Sequence, residues 1–175
     1  MPSPVGHAIA GLTVFTLAEG RVDLARLRFR VAVVLVAALA PDLDLAWRLL
    51  DGRNHHQMQA HSLGAAVLAG LVVLLLGWGL GWQRPRWLAL AAGLAWASHV
   101  AFDYLGADTN PPIGIMALWP LDTGYHHFPW PVFMDIGRTL EWRTLRHNAA
   151  AAALESALLL PLLLLATRAR RTTRG

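Results

Sequence analysis

Apolar runs long enough to approach a bilayer crossing carry ionisable residues in this chain, and no other feature constrains its fold as strongly. Residues 61 to 82 and 87 to 106 each give about 20 largely apolar residues, enough for a roughly 30 Å hydrocarbon layer. His61 opens the first, and His99 and Asp103 lie near the end of the second. Residues 31 to 50 are interrupted in their second half by Pro41, Asp42 and Asp44, and residues 149 to 166 contain Glu155 and Pro161. A shorter run, residues 5 to 18, carries His7. Burying such groups costs free energy that packing alone does not require.

Five spans follow from this reading, and the predicted fold is all-α: a polytopic membrane helical bundle forming one domain over residues 1 to 175. Hydrophobic residues make up 55% of the chain, in keeping with a core set in lipid. The first run has neither a basic n-region nor a convincing cleavage site, so it reads as a retained helix. Residues 107 to 148 are too apolar for a solvated linker and too rich in proline for a long helix. They are expected to lie along the interface as a lid anchored by Trp119, Trp130 and Phe133. The absence of cysteine removes disulfides and thiolate ligands from consideration.

All 15 basic residues are arginine. If the helices alternate, Arg21, Arg26, Arg28, Arg30, Arg84, Arg86, Arg168, Arg170, Arg171 and Arg174 share one side. The positive-inside tendency makes that side cytoplasmic, with the basic tail from 167 to 175. Anionic lipid accounts for these arginines, and nucleic acid is not an expected partner. The same alternation sends all eight histidines to the opposite, outer end, with eight of the carboxylates. Ordinary polarity of helix ends would explain a few of them on either face, not all the histidines on one.

The local patterns fit metal ligation. In SHVAFDYLG, His99 and Asp103 stand one helical turn apart on one face. A structural His–Asp hydrogen bond is the plainer account of that pair alone. APDLD sets Asp42 and Asp44 after a helix-breaking proline, where they could ligate, bridge two ions, or divide ligation and base duties; an N-terminal cap is the alternative. HHQMQAHSLG offers His56 and His61 five residues apart, with His56 folding back from a loop and His55 facing solvent. Ser62 reads as a cap, not a nucleophile, because no glycine elbow surrounds it. His7, His56, His61, His99, Asp42, Asp44 and Asp103 are therefore the candidate ligands, and Asp44 and His126 the candidate proton-handling groups. Arg138 or Arg143 would suit a phosphate or a lipid headgroup. Glu155 would orient a ligand or pair with an outer arginine.

GHAIAG, APDLD, His56 followed by His61 and Ser62, SHVAFDYLG and GIMALWP, in this order, resemble the LexA-regulated, membrane-bound metal-dependent hydrolase family of bacterial inner-membrane proteins. The matching segments run from residue 7 to about 120. The family's second motif reads His-Arg-Gly-x-Thr-His-Ser; here Gln57, Met58 and Ala60 replace its Arg, Gly and Thr, while both histidines remain. The resemblance implies a divalent-metal hydrolase in the inner membrane. A more distant similarity to zinc-dependent phospholipase C points to phosphodiester chemistry. The expected activity is hydrolysis of an ester or phosphoester of a lipid or lipid-linked substrate at the outer boundary. One to three ions would be held there, zinc fitting the His/Asp mixture best and manganese being possible. A metal transporter or sensor, and a structural membrane protein, are the competing readings. A transporter would need midplane ligands and a path to both faces.

Overall fold

The computed structural model describes residues 1–18, 24–46, 52 and 56–172; among them every regular element is helical. Five α-helices lie wholly within the described residues: α1 (Pro4–Ala18), α2 (Leu24–Leu39), α3 (Leu63–Gly79), α4 (Pro85–Leu105) and α5 (Trp142–Thr172). Short 3-10 turns cover Ala40–Leu43 and Gln59–His61. His55, Glu19, Asp23, Asp51 and the arginines at 21, 48, 53 and 174 lie outside the described residues.

The boundaries explain themselves locally. Pro41 lacks the N–H needed to continue α2, so the chain tightens into a 3-10 turn just where Asp42 appears. Ser62 caps α3, its hydroxyl accepting from the Ala65 N–H at 3.0 Å. Pro85 opens α4 in its first turn, a position where the missing donor costs nothing.

Two helices, α4 and α5, are both long and apolar enough to cross a membrane. The expectation of five spans is thus met in helix number but not in length. With a rise of about 1.5 Å per residue, the 15 residues of α1 and the 17 of α3 extend about 22 and 26 Å, short of a full hydrocarbon layer. The run at 31 to 50 is not one helix, because α2 begins earlier and stops at Leu39. The segment at 107 to 148 is shorter than expected, since α5 already starts at Trp142 and continues through the arginine-rich tail to Thr172.

Helix α4 is central and touches α1, α2 and α3, while α5 packs on α1. Phe15, Val34, Ala38, Leu88, Ala91, Ala92 and Ala95 form the core where α1, α2 and α4 meet. Small residues there permit close helix approach, and glycine takes this to its limit between α3 and α4. A Cβ on Gly70 would come within 3.2 Å of the Ala89 carbonyl, and one on Gly93 within 3.2 Å of the Ala66 carbonyl. Leu68, Val72 and Leu75 of α3 and Leu162, Leu164 and Leu165 of α5 remain exposed, an apolar exterior that suits lipid. Arg30 is not a free juxtamembrane arginine: it is buried within α2 and donates to the Gln83 carbonyl at 2.6 Å.

Candidate metal centre

His7 from α1, Asp42 and Asp44 from the end of α2, His56 and His61 from the segment before α3, and His99 and Asp103 from α4 converge at one end of the bundle. Four separate stretches of sequence supply them. His7, His61, His99 and Asp103 are essentially sealed from solvent, and His56 nearly so.

Asp103 is the hub. Its Oδ1 lies 3.4 Å from His7 Nε2, and its Oδ2 lies 3.0 Å from His99 Nε2 and 3.3 Å from His61 Nε2. Asp42 Oδ1 faces the same two imidazoles, 3.6 Å from His99 Nε2 and 3.7 Å from His61 Nε2. His61 Nδ1 lies 3.2 Å from Asp44 Oδ2. The rings of His7 and His99 stack 3.7 Å apart, and those of His56 and His61 meet edge to face.

Proximity here is not hydrogen bonding. Both nitrogens of His7 and of His61, His99 Nε2, Asp44 Oδ2 and both oxygens of Asp103 are buried without a hydrogen-bond partner. Buried polar atoms are seldom left so, because each unmet group costs about 1–3 kcal/mol. Two ligand atoms each about 2.1 Å from a common ion, at angles between octahedral and tetrahedral, stand about 3.0–3.4 Å apart. The three contacts to Asp103 fall in that range.

The His99 tautomer sharpens the point. Its Nδ1 is 2.8 Å from the Ala38 carbonyl, which can only accept, so Nδ1 carries the hydrogen. In the neutral ring Nε2 then presents a lone pair to Asp103 and Asp42. A lone pair facing carboxylate oxygens is repelled by them unless a cation lies between, and a backbone carbonyl on the far nitrogen is a common way of orienting a metal-ligating histidine. His56 donates from Nδ1 to Asp44 Oδ1 at 2.7 Å, in hydrogen-bond geometry. His7, His99 and Asp103 form one group able to hold an ion, and Asp42, His56 and His61 another.

His126 does not join the cluster. Its Nε2 bonds Asp122 Oδ2 at 2.8 Å on a part-exposed stretch of the loop, and it makes none of the contacts that tie the cluster together. The Gly124 N–H and the His126 ring hold Asp122 below the usual carboxylate range. His147 likewise belongs to a local pair: Nε2 lies 2.9 Å from the Asp135 carbonyl and 3.1 Å from Asp135 Oδ1. Burial pushes Asp135 up, but the Thr109 hydroxyl and His147 outweigh it and hold the carboxyl below its ordinary value.

Glu155 neither orients a ligand nor pairs with an arginine among the described residues. It is fully buried and accepts from the Ser3 hydroxyl and, at 2.9 Å, from the Ser3 N–H. This fastens the start of α1 to α5. A side chain on Gly6 would be only 2.6 Å from Glu155 Oε2, so glycine there lets the carboxylate in.

Gln57 and Asp108 are contributors that sequence reasoning passed over. Gln57 is fully buried at φ 75°, donates from Nε2 to Asp108 Oδ2 at 2.6 Å, and offers its carbonyl to the Met116 N–H at 3.0 Å. It ties the His56 turn to the loop after α4. Asp108 also accepts from the Asn110 and Gly114 N–H groups. The signal available was Gln57 in a position where the resembled motif has arginine, a departure pointing to a different local partner.

No curated protein and no solved structure matches the chain. A family model does, over residues 1–173. That match takes in every element carrying the cluster, and the chain belongs to the YdjM inner membrane protein family.

Proposed function

We propose that the protein is a membrane-embedded, metal-dependent hydrolase acting on a phosphoester or other ester of a lipid or lipid-linked substrate. The observation that carries this reading is the set of buried nitrogen and oxygen atoms around Asp103, spaced as ligands of shared ions and lacking hydrogen bonds. His7, His61, His99, Asp42 and Asp103 would hold one to three divalent ions, zinc before manganese on the mixture of imidazole and carboxylate. Bound ions would supply a lowered water pKa and offset negative charge on the substrate.

The chain's own groups do the positioning. Ala38 fixes the His99 tautomer, and the His56–Asp44 hydrogen bond holds one Asp44 oxygen in place. The other Asp44 oxygen, without a hydrogen-bond partner, is available to take a proton. A lipid substrate is supported by an apolar groove of about 750 Å³ between α2 and α3. Ala40, two residues before Asp42, and Ala60, one before His61, line it together with Phe29 and Trp82. From residue 29 to 40 a helix rises about 16 Å, close to the acyl depth of one leaflet, about half of a 30 Å core. The arginine distribution supports a multi-pass arrangement with the centre on the non-cytoplasmic side and the carboxyl terminus inside.

Elemental analysis of detergent-purified protein tests the reading, with His61→Ala and a His99→Ala/Asp103→Ala double variant alongside. Stoichiometric zinc or manganese in the wild type, lost in both variants with helicity retained, is expected. Wild-type protein that holds no metal and takes none up would leave a membrane scaffold as the better account.

A further inference from the structure

The cluster meets solvent unequally. The side chains of His61, His99 and Asp103 are 0% exposed, whereas Asp44 is 12% and Asp42 25% exposed. A reactant therefore approaches past Asp42. Asp42 and His56 line a partly enclosed cleft of about 140 Å³, walled also by Asp108, Asp135 and Arg138. That is well below the roughly 300–1,000 Å³ of pockets for drug-sized ligands, and it suits one compact group.

The charges in the cleft are not equivalent. Asp108 is occupied by Gln57, Asn110 and Gly114, and Asp135 by Thr109 and His147. Arg138 is the side-chain cation in the wall of this cleft and has no hydrogen bond or ion pair among the described residues. It neutralises neither neighbouring carboxylate by contact, which leaves its planar fork of donors for a ligand.

We propose that Arg138 is the anion-recognition residue of this centre, receiving a compact phosphate-like group in the cleft beside Asp42. The inference rests on the hydrolase reading for its place in a reaction, but not for the binding itself. Bidentate contact to two oxygens would orient the anion and offset the repulsion from Asp42, Asp108 and Asp135. A lipid phosphate and a soluble phosphoester share this chemistry.

The test uses the full chain in phosphatidylcholine nanodiscs, with phosphorus NMR titration of inorganic phosphate and metal content measured on the same samples. Arg138→Gln is expected to weaken phosphate binding about tenfold or more, the scale of one charged hydrogen-bond contact, while Arg138→Lys retains part of it. Metal content should stay at the wild-type level in both. A second arm compares glycerol phosphate in solution with phosphatidic acid in the disc. A loss in Arg138→Gln confined to phosphatidic acid assigns the anion to a lipid, and an equal loss in both assigns it to phosphate from either source. Phosphate binding unchanged in Arg138→Gln, or absent from the wild type in both arms, overturns the proposal. Metal-free wild type that still binds phosphate through Arg138 would sink the hydrolase reading and leave this site standing.

Discussion

Histidine–aspartate pairs occur in two regions of this molecule, and only one of them looks built for the pairs themselves. At the loop after α4, His126–Asp122 within it and His147–Asp135 joining it to α5 stand 2.8 and 3.1 Å apart in hydrogen-bond geometry, partly open to water. In the buried cluster, apart from the His56–Asp44 bond, contacts as short as 3.0 Å bring together atoms that make no hydrogen bond. The loop pairs add to local order. Outside the His56–Asp44 bond, the cluster packs imidazoles and carboxylates whose facing atoms are not in hydrogen-bond geometry, an arrangement that costs free energy as it stands.

The strongest way to break this contrast is Asp103→Asn. One of the two carboxylate oxygens becomes a donor, so the substitution should abolish stoichiometric metal while stabilising the metal-free protein. Turning one of these unmet buried acceptors into a donor is worth about 1–3 kcal/mol, the usual cost of an unsatisfied buried polar group. Thermal unfolding of metal-stripped wild type and variant, with elemental analysis of both, checks it. A metal-free variant less stable than metal-free wild type would mean that Asp103 is a structural partner of its histidines, as Asp135 is of His147.

Next in size is the buried carboxylate whose needs are met. Ser3→Ala removes the hydroxyl bonded to Glu155 and should cost about 1–3 kcal/mol, the usual penalty for an orphaned buried group. Gly6→Ala, with its Cβ 2.6 Å from Glu155 Oε2, should cost a similar 1–3 kcal/mol through overpacking, about the range seen for added methyl groups. Unfolding in a detergent series measures both. If either variant loses metal while remaining folded, the clamp and the centre are coupled through α1, and the two buried carboxylates are not independent.

The sequence carried the clustered side chains further than it carried the helices. His99 and Asp103 could be placed because one helical turn fixes their shared face, and the Pro41 break could be placed because proline removes a donor at a definite position. Convergence of His7, Asp42, Asp44, His56 and His61 followed from a topology that needed only the order of the runs. Helix lengths did not follow, because hydropathy counts apolar residues without seeing that α2 already begins at Leu24 among arginines or that Gln59–His61 turns before α3 begins. Glu155 was misread for a related reason. Its partner, Ser3, lies 152 positions away, and neither residue has a local pattern that names the other. His126 was assigned by its type and neighbourhood, and its pairing with Asp122, four residues upstream, had gone unnoticed.

Acid should weaken the Asp135–His147 pair, and the effect is small. Asp135 has its folded-state pKa depressed below the ordinary 3.8. Its contribution to stability is therefore present above that value and is lost as pH falls through the lower, folded-state value. The group is partly exposed, so solvent screening limits the contribution to a few tenths of a kcal/mol, about the size of other exposed pairs. Asp135→Asn should abolish that contribution, leaving a shallower stability curve below about pH 4, the region where a free carboxyl titrates. Unfolding curves between neutral pH and acid, on metal-free protein so that ligand protonation does not intrude through metal loss, would show it. A large loss of stability in Asp135→Asn at neutral pH would mean that the loop is held against the bundle chiefly by this pair, and that the cleft beside Asp42 depends on it.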